Sequence, residues 1–444
     1  MNTPIYDFLK SYAQKDPLRL HMPGHKGKGE IGIENLDVTE ISGADSLYEA
    51  NGIIKESEDN ASKLFSSTTF YSTEGSSHCI RTMIYLASVY AKRVCREPLI
   101  LAARNVHKSF VSAAALVGIN VEFLFSEKDT YLSSGIGAAE VLGYLKATEK
   151  KPVAVYLTSP DYLGNVADIR AIAEICKKEG MLLLVDNAHG AYLHFLEQSS
   201  HPIALGADIV CDSAHKTLPA LTGGAYLHLS DFCSGVLSPL VKEAMLLFGS
   251  TSPSYLTLLS LDLLNAKIDG NYRASLSRAA SLVSILKDDI SSMGYTTLGK
   301  EPMKITVKAK EYGYTGVELG RIFEEKSIIP EFYDNDYIVF MMPYSFTENE
   351  YRRVRDVFLS IERKAPISTL PPTPIKPHRA MSIRDAVMAS SEEILVKDSL
   401  NRIVSTLSVS CPPAVPIAVS GEVIDESAVR ALLYYGIERV RVVK

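Results

Sequence analysis

Between residues 98 and 229, short apolar runs alternate with helical patterns, and this alternation restricts the possible folds more than any other feature of the chain. The runs Pro98–Ala102, Val121–Phe125, Val153–Thr158, Met181–Val185, Asp208–Cys211 and Ala225–Leu229 read as strands. Helical patterns near Phe110–Val117, Ala138–Ala147 and Ile169–Lys178 separate several of them. A strand that is apolar at nearly every position is buried on both faces. The pattern therefore predicts an α/β domain with a mostly parallel sheet covered by helices. Ligands of such sheets bind beyond the C-terminal ends of the strands. The residues that follow those ends form the candidate group: 104–109, 159–164, 186–190 and 212–217.

Within that group, Lys216 stands where an apolar run gives way to a loop, and Asp186 stands at the end of Met181–Val185. A Lys and an Asp at two strand ends suit pyridoxal phosphate. The Lys forms a Schiff base with it, and the Asp holds its ring nitrogen protonated. Gly75-Ser76-Ser77 opens a helical pattern that runs to about Arg93. Free N–H groups and the positive dipole end of a helix accept a phosphate there. Ser is equally an ordinary helix cap, an Asp after a strand is often one too, and a Lys in that place is often solvated. The combination with His107 carries the cofactor reading, not any one residue. A competing set, Asp186, His189 and His194 as zinc ligands, matches no strong metal spacing, so no metal is expected. His78 and His228 read as structural and His201 as a surface residue. The loop His21-Met22-Pro23-Gly24-His25-Lys26-Gly27 reads equally well as a surface turn or as a segment lining a site.

A chain of 444 residues is too long for one core. The sequence divides into an N-terminal segment (1–60), a large domain (61–262), a smaller α+β domain (263–363), a Pro-rich linker (364–377) and an appended C-terminal module (378–444). A continuous helical stretch, about Leu256–Ile290, is expected to bridge the first two domains. In the smaller one, Met303–Lys308 and Tyr337–Met342 read as strands, and Thr315–Lys326 and Glu348–Glu362 as helices. The formal net charge of -6 argues against nucleic acid or an anionic membrane as partner. There is no signal-peptide pattern at the N-terminus, and no apolar run nears the roughly 18 residues of a membrane span. The cysteines at 79, 95, 176, 211, 233 and 411 have no CxxC spacing, and several fall in apolar stretches as free thiols. A cytoplasmic enzyme is expected.

Several short motifs then fall in one order along the chain. They are His-Met-Pro-Gly-His-Lys-Gly from 21, Arg-Asn-x-His-Lys-Ser from 104, Asp-x-Ala-His-Gly-Ala from 186, Ser-x-His-Lys from 213, Ser-Thr-Ser-Pro-Ser-Tyr from 250 and Cys-Pro-Pro-x-x-Pro-Ile from 411. In them the chain resembles the pyridoxal-phosphate-dependent ornithine/lysine/arginine decarboxylases, over nearly its whole length. The resemblance implies an aspartate-aminotransferase-like fold and a carboxy-lyase that turns a basic amino acid into a polyamine precursor and CO2. It implies that Lys216 carries pyridoxal 5'-phosphate, Asp186 bonds the ring nitrogen and His107 stacks on the ring. Gly75, Ser76, Ser77, Ser213 and His215 hold the phosphate, and Thr251 and Ser252 reach it from a neighbouring subunit of a homodimer. His189 is placed near the ring hydroxyl or the substrate. The sequence departs from the family at Asn187, where Glu is common, at Tyr192, where His is common, and in the turn Thr73–Ser77. Arginine is favoured over lysine and ornithine because the chain resembles the short members without an N-terminal receiver-like domain. Glu331, Asp334 and Asp336 are the candidate partners of the substrate's distal cation. The alternatives are an aminotransferase or a non-catalytic homologue that binds the cofactor. Aminotransferases of this fold usually clamp the carboxylate with an Arg, which Tyr337–Tyr344 lacks.

Overall fold

The structure, a computed structural model, describes residues 1–407 and 413–444, so Cys411 and Pro412 of the C-terminal motif lie outside the described residues. Its largest sheet has seven strands in the order β1-β7-β6-β5-β4-β2-β3. These are β1 (Thr68–Ser72), β2 (Leu99–Ala103), β3 (Asn120–Leu124), β4 (Ala154–Thr158), β5 (Leu182–Asp186), β6 (Ile209–Asp212) and β7 (Ala225–Leu229). Strands β3, β2, β4, β5 and β6 are mutually parallel, and β7 runs antiparallel between β6 and β1. Each run expected from the sequence is present, with its ends moved by a residue or so. Strand β1 was not singled out, because Thr-Thr-Phe-Tyr-Ser carries too little apolar character to stand out from its flanks.

Both faces of the sheet are buried, which is why its strands are apolar throughout. Ile100, Ala102, Tyr156, Leu182 and Leu184 face one core, shared with the helix Gly75–Arg93. Leu101, Ala103, Val155, Leu183 and Val185 face the other, shared with Ile169–Glu179. That second helix starts where the Asp168 side chain accepts the Ala171 N–H, and it ends at Gly180, whose φ of 65° favours glycine.

The bridge after residue 254 is not one helix. Tyr255–Lys267 and Arg273–Ser292 are separate, because Gly270 takes φ -86° and ψ -118° and breaks the ladder between them. A four-stranded antiparallel sheet follows, in the order β10 (Phe332–Tyr333), β11 (Tyr337–Met341), β9 (Lys304–Lys308), β8 (Thr297–Leu298). The helices Gly316–Glu325 and Glu348–Ser360 belong to the same part of the chain, and each opens with a capping box, Thr315 with Glu318 and Thr347 with Glu350. A last antiparallel sheet joins β12 (Ser391–Leu395), β14 (Arg439–Val443) and β13 (Val404–Thr406). No helix among the described residues is long and apolar enough to cross a membrane. Cys79, Cys176, Cys211 and Cys233 are buried free thiols, and Cys95 is exposed.

Arg104, just past β2, ties the C-terminal module to the large sheet. Its guanidinium donates to the carbonyls of Pro416 at 3.1 Å and Ile417 at 2.9 Å, and pairs with Glu422 at 3.1 Å. It also lies over the ring of Phe123. Both partners of the ion pair are almost fully buried. Removing one partner of such a pair strands the other charge, whereas replacing both by apolar groups is tolerated. Glu422→Ala is therefore expected to cost about 3–5 kcal/mol in urea unfolding. The double change Arg104→Met with Glu422→Leu recovers most of that loss.

Candidate active site

The C-terminal ends of β5 and β6 open on a cavity of about 270 Å³. Asp186, the last residue of β5, is buried in its floor. One of its oxygens accepts the Ala188 N–H at 3.1 Å and the Cys211 thiol at 3.6 Å, and the other accepts the Tyr156 hydroxyl at 3.4 Å. Burial pushes its carboxyl up, and the nearby Lys216 pulls it back. Lys216 sits in the short helical turn Ala214–Thr217 that follows β6. Its side chain stands in the cavity, accessible to water, with Nζ 3.2 Å from His189 Nε2. Desolvation lowers its ammonium, and Asp186 opposes that shift. Burial and the Lys216 charge hold His189 well below the ordinary imidazole range. A neutral His189 can therefore exchange a proton with the amine beside it.

Opposite this pair, the helix Gly75–Arg93 begins at the cavity wall. Gly75 has φ 73°, a value that favours glycine, and its N–H is tied to the Gly223 carbonyl at 2.8 Å. Ser76 accepts from the Ser213 hydroxyl at 2.7 Å, and Ser77 pairs with Ser109 at the same distance. Ser109 Oγ lies 2.9 Å from His107 Nδ1, so the serine turn and His107 belong to one network. His107 caps the helix Lys108–Val117 by accepting the Ser109 N–H at 3.2 Å. A nitrogen that accepts a backbone N–H carries no proton. Burial and the Lys216 and Lys108 charges push His107 down to about 4. His215 completes this side, with Nδ1 3.0 Å from the Gly224 carbonyl and its pKa lowered by burial.

The cavity also holds polar atoms that the described residues leave unanswered. Asn105 Oδ1, Thr158 Oγ1 and His189 Nδ1 are buried without a hydrogen-bond partner among the described residues. Buried polar groups without partners are rare, and three around one space mark where a ligand completes them. The set comprises a buried carboxylate, a partly desolvated amine, a neutral imidazole and a helix start rich in hydroxyls. It fits a flat heteroaromatic cation that also carries an anion.

Gly75, Ser76, Ser77, His107, Asp186, His189, Ser213, His215 and Lys216 are thus brought together. Thr251 and Ser252 are not: both are exposed and neither lines the cavity of its own chain. The loop 21–27 does not line it either. Of the three acidic candidates, Glu331 alone touches the site: it is exposed, does not line the cavity itself, and accepts the hydroxyl of the lining residue Tyr162 at 2.9 Å. Asp336 is buried against Lys310 at 2.8 Å and Tyr434, and Asp334 holds the backbone of Asp336 and Tyr337. These two are structural. Sequence reading missed Leu132, Pro413 and Val415 in the cavity wall. Pro413 and Val415 belong to the C-terminal motif, so the motif was the signal, but nothing in it pointed to this wall.

His201 requires a correction: it is fully buried, not at the surface. His201 and His228 each direct Nε2 at Asp212, at 3.0 and 3.1 Å, and Asn187 donates to the same carboxylate at 2.6 Å. Asn187, the residue after Asp186, therefore bridges β5 to β6. His194 lies among aromatic rings next to Phe65, so Asp186, His189 and His194 do not form one ligand set. Among the described residues, His201, Asp212 and His228 are the trio close enough to share a cation. The Ile203 N–H donates to His201 Nδ1 at 3.3 Å, which puts the ring's proton on Nε2 and makes that atom a donor to Asp212. The trio is an internally satisfied hydrogen-bond cluster. His78 is likewise buried, between Ser72 at 2.9 Å and the Met245 carbonyl at 2.8 Å. Tyr192, the other departure, is buried and donates to Glu301 at 2.5 Å.

These histidines set an acid limit. Burial pushes His107 down to about 4 and His194 to about 3, so both stay neutral in the fold while unfolded histidines protonate near pH 6.5. The unfolded chain therefore binds more protons below that pH, and stability falls as pH drops from about 6.5 toward 4. The slope is about 1.4 kcal/mol per pH unit for each such histidine. Urea midpoints between pH 7 and 4.5 check this, and His194→Phe is expected to flatten the fall.

Comparison with known proteins agrees with this geometry. Residues 3–292 match the family described as Orn/Lys/Arg decarboxylase, major domain. The chain is 30% identical over 465 residues to the protein YaaO of Bacillus subtilis, covering 97% of this chain and 94% of that one. It is also 30% identical over 461 residues to an arginine decarboxylase of Halalkalibacterium halodurans, covering 96% and 91%. Among solved structures, the Francisella novicida lysine decarboxylase LdcF superposes with a TM-score of 0.79 at 17% identity, over 100% of this chain and 81% of that one. At that identity the likeness is one of fold, the aspartate-aminotransferase-like fold of pyridoxal-phosphate enzymes. The family match takes in every strand end that builds the cavity, and the chain belongs to the Orn/Lys/Arg decarboxylase family.

Proposed function

We propose that this protein decarboxylates a basic amino acid, arginine first, with pyridoxal 5'-phosphate bound in the cavity between β5, β6 and the serine turn. The observation that carries the reading is the meeting of Lys216, Asp186 and His189 in one cavity whose buried polar atoms lack partners. When bound, the cofactor supplies a conjugated pyridinium that takes up the electron pair left on Cα as CO2 departs.

The protein's own part follows from the residues. Lys216 binds the cofactor through its amine, which desolvation helps to keep uncharged. Asp186, buried and at present answered only by weak donors, gains a cationic partner in the ring nitrogen and holds its proton there. Ser76, Ser77, Ser213 and His215, with the free N–H groups of the helix start, bind the phosphate. His107 stays neutral and offers a ring face without adding charge. Lys216 and His189, 3.2 Å apart, hold and return the proton that Cα needs after CO2 has left.

The choice of arginine is supported by the relatives named arginine decarboxylase. Glu331, hydrogen-bonded to Tyr162 of the cavity wall, is the carboxylate we assign to the substrate's distal cation. The strand β11 and its exit bring no Arg to clamp a carboxylate, which counts against transamination. Thr251 and Ser252, exposed on this chain, are proposed to serve the phosphate site of a second copy in a homodimer.

Loading with pyridoxal phosphate is expected to give the absorbance band of a lysine-bound cofactor, and Lys216→Ala to remove it. Asp186→Asn keeps the shape but loses the charge, and kcat is expected to drop by about 10²–10³. Titration with arginine, lysine and ornithine should release CO2 from one of them, and release from none would sink the assignment. Glu331→Gln is expected to raise KM for the preferred substrate by about tenfold while kcat changes little.

A further inference from the structure

A second cavity, of about 240 Å³, meets the first at Lys216, the residue that lines both. Its walls are largely apolar, built from Leu218, Leu276, Met303, Met341, Met342 and Pro343. Glu301 also lines it, but the charge of that carboxylate is already paired. It accepts the Tyr192 hydroxyl at 2.5 Å and pairs with Lys304 at 3.1 Å. Thr217 lines the space too, and its hydroxyl is buried without a partner among the described residues. Among the described residues, Lys216 is the one cation that lines it.

Resting on the function proposed above, we infer that this second cavity receives the substrate's α-carboxylate, with Thr217 Oγ1 as its neutral donor. A substrate whose α-carbon is held at Lys216 has substituents that reach both spaces. The distal cation finds an exposed carboxylate, Glu331, hydrogen-bonded to Tyr162 of the first cavity's wall. The second offers it little, because Lys304 and Tyr192 already occupy Glu301. For the carboxylate, the second cavity offers the Thr217 hydroxyl, in a wall of aliphatic and thioether groups and the rings of Tyr192 and Tyr344, with the Tyr192 hydroxyl already bound to Glu301. A bidentate cation would bind the charged ground state tightly and lose that attraction as neutral CO2 forms. A neutral donor in largely apolar surroundings holds the carboxylate in place without that cost, because the charge is dispersing as the bond breaks. Any residual field from Glu301 acts in the same direction.

The test compares an amino acid with the amine that differs from it only by the carboxylate: arginine with agmatine, and likewise for lysine and ornithine. Dissociation constants are read in the loaded enzyme by stopped-flow absorbance, before turnover. Met342→Arg is expected to tighten amino-acid binding by about tenfold relative to the amine, and to slow CO2 release. Thr217→Val is expected to weaken the amino acid by about fivefold and leave the amine unchanged. The inference is overturned if the amino-acid to amine ratio stays within about twofold of wild type in Thr217→Val, with or without a change in Met342→Arg. It is also overturned if Glu301→Gln weakens the amine as much as the amino acid, since that would seat the distal cation there. Loss of the cofactor band in the wild-type enzyme would instead remove the proposed function itself.

Discussion

A carboxylate at the end of a strand buried on both faces is costly unless a cation answers it, and Asp186 is such a carboxylate. The apolar character of β5 that makes the sheet stable also strips water from this group. Its present partners are a backbone N–H, a thiol and a distant phenol, none of them charged. The nearest compensating charge is the amine of Lys216, which desolvation weakens in turn. The two groups sit at the ends of neighbouring strands because the sheet's parallel register puts them there. Much of the site's electrostatics, including the depressed imidazoles, follows from that one placement.

The strands and helices around it were legible because both-face burial writes itself as unbroken apolar runs. Ala225–Leu229 and Ala138–Ala147 coincide with their expected bounds, and the others shift by a residue or two. Strand ends were legible for the same reason, and with them Lys216, Asp186, His107 and His189. Where periodicity was the only guide, a single residue could mislead. Gly270 lies inside a helical pattern but takes a backbone conformation that ends the helix, which no count of apolar spacing reveals.

His201 was misread for a different reason. It follows Gln198-Ser199-Ser200, a polar stretch, so its local surroundings resemble a surface loop. Its burial depends on Asp212 and His228, which approach it only when β6 and β7 pair. Asp334 and Asp336 illustrate the converse. An acidic cluster before a strand resembles a binding loop, yet the fold uses one member to hold a turn and the other to neutralise Lys310. Pair partners distant in sequence decide both cases, and a single sequence does not contain them. The same limit applies to Thr251 and Ser252, whose role is assigned to a second chain.

The Arg104 tie has a meaning for how such a chain can be rearranged. The guanidinium takes its acceptors from the carbonyls of Pro416 and Ile417 and from Glu422, while the neighbouring Lys108 N–H takes the carbonyl of Ala414 at 2.9 Å. Pro413 and Val415, in the same stretch, form part of the cavity wall. The appended module is thus not a separable cargo. Cutting the chain at the Pro-rich segment would strip Arg104 of its protein acceptors and leave a cavity open on one side. A chimaera with a relative's C-terminal module would need a carboxylate and a backbone course matched to this arginine.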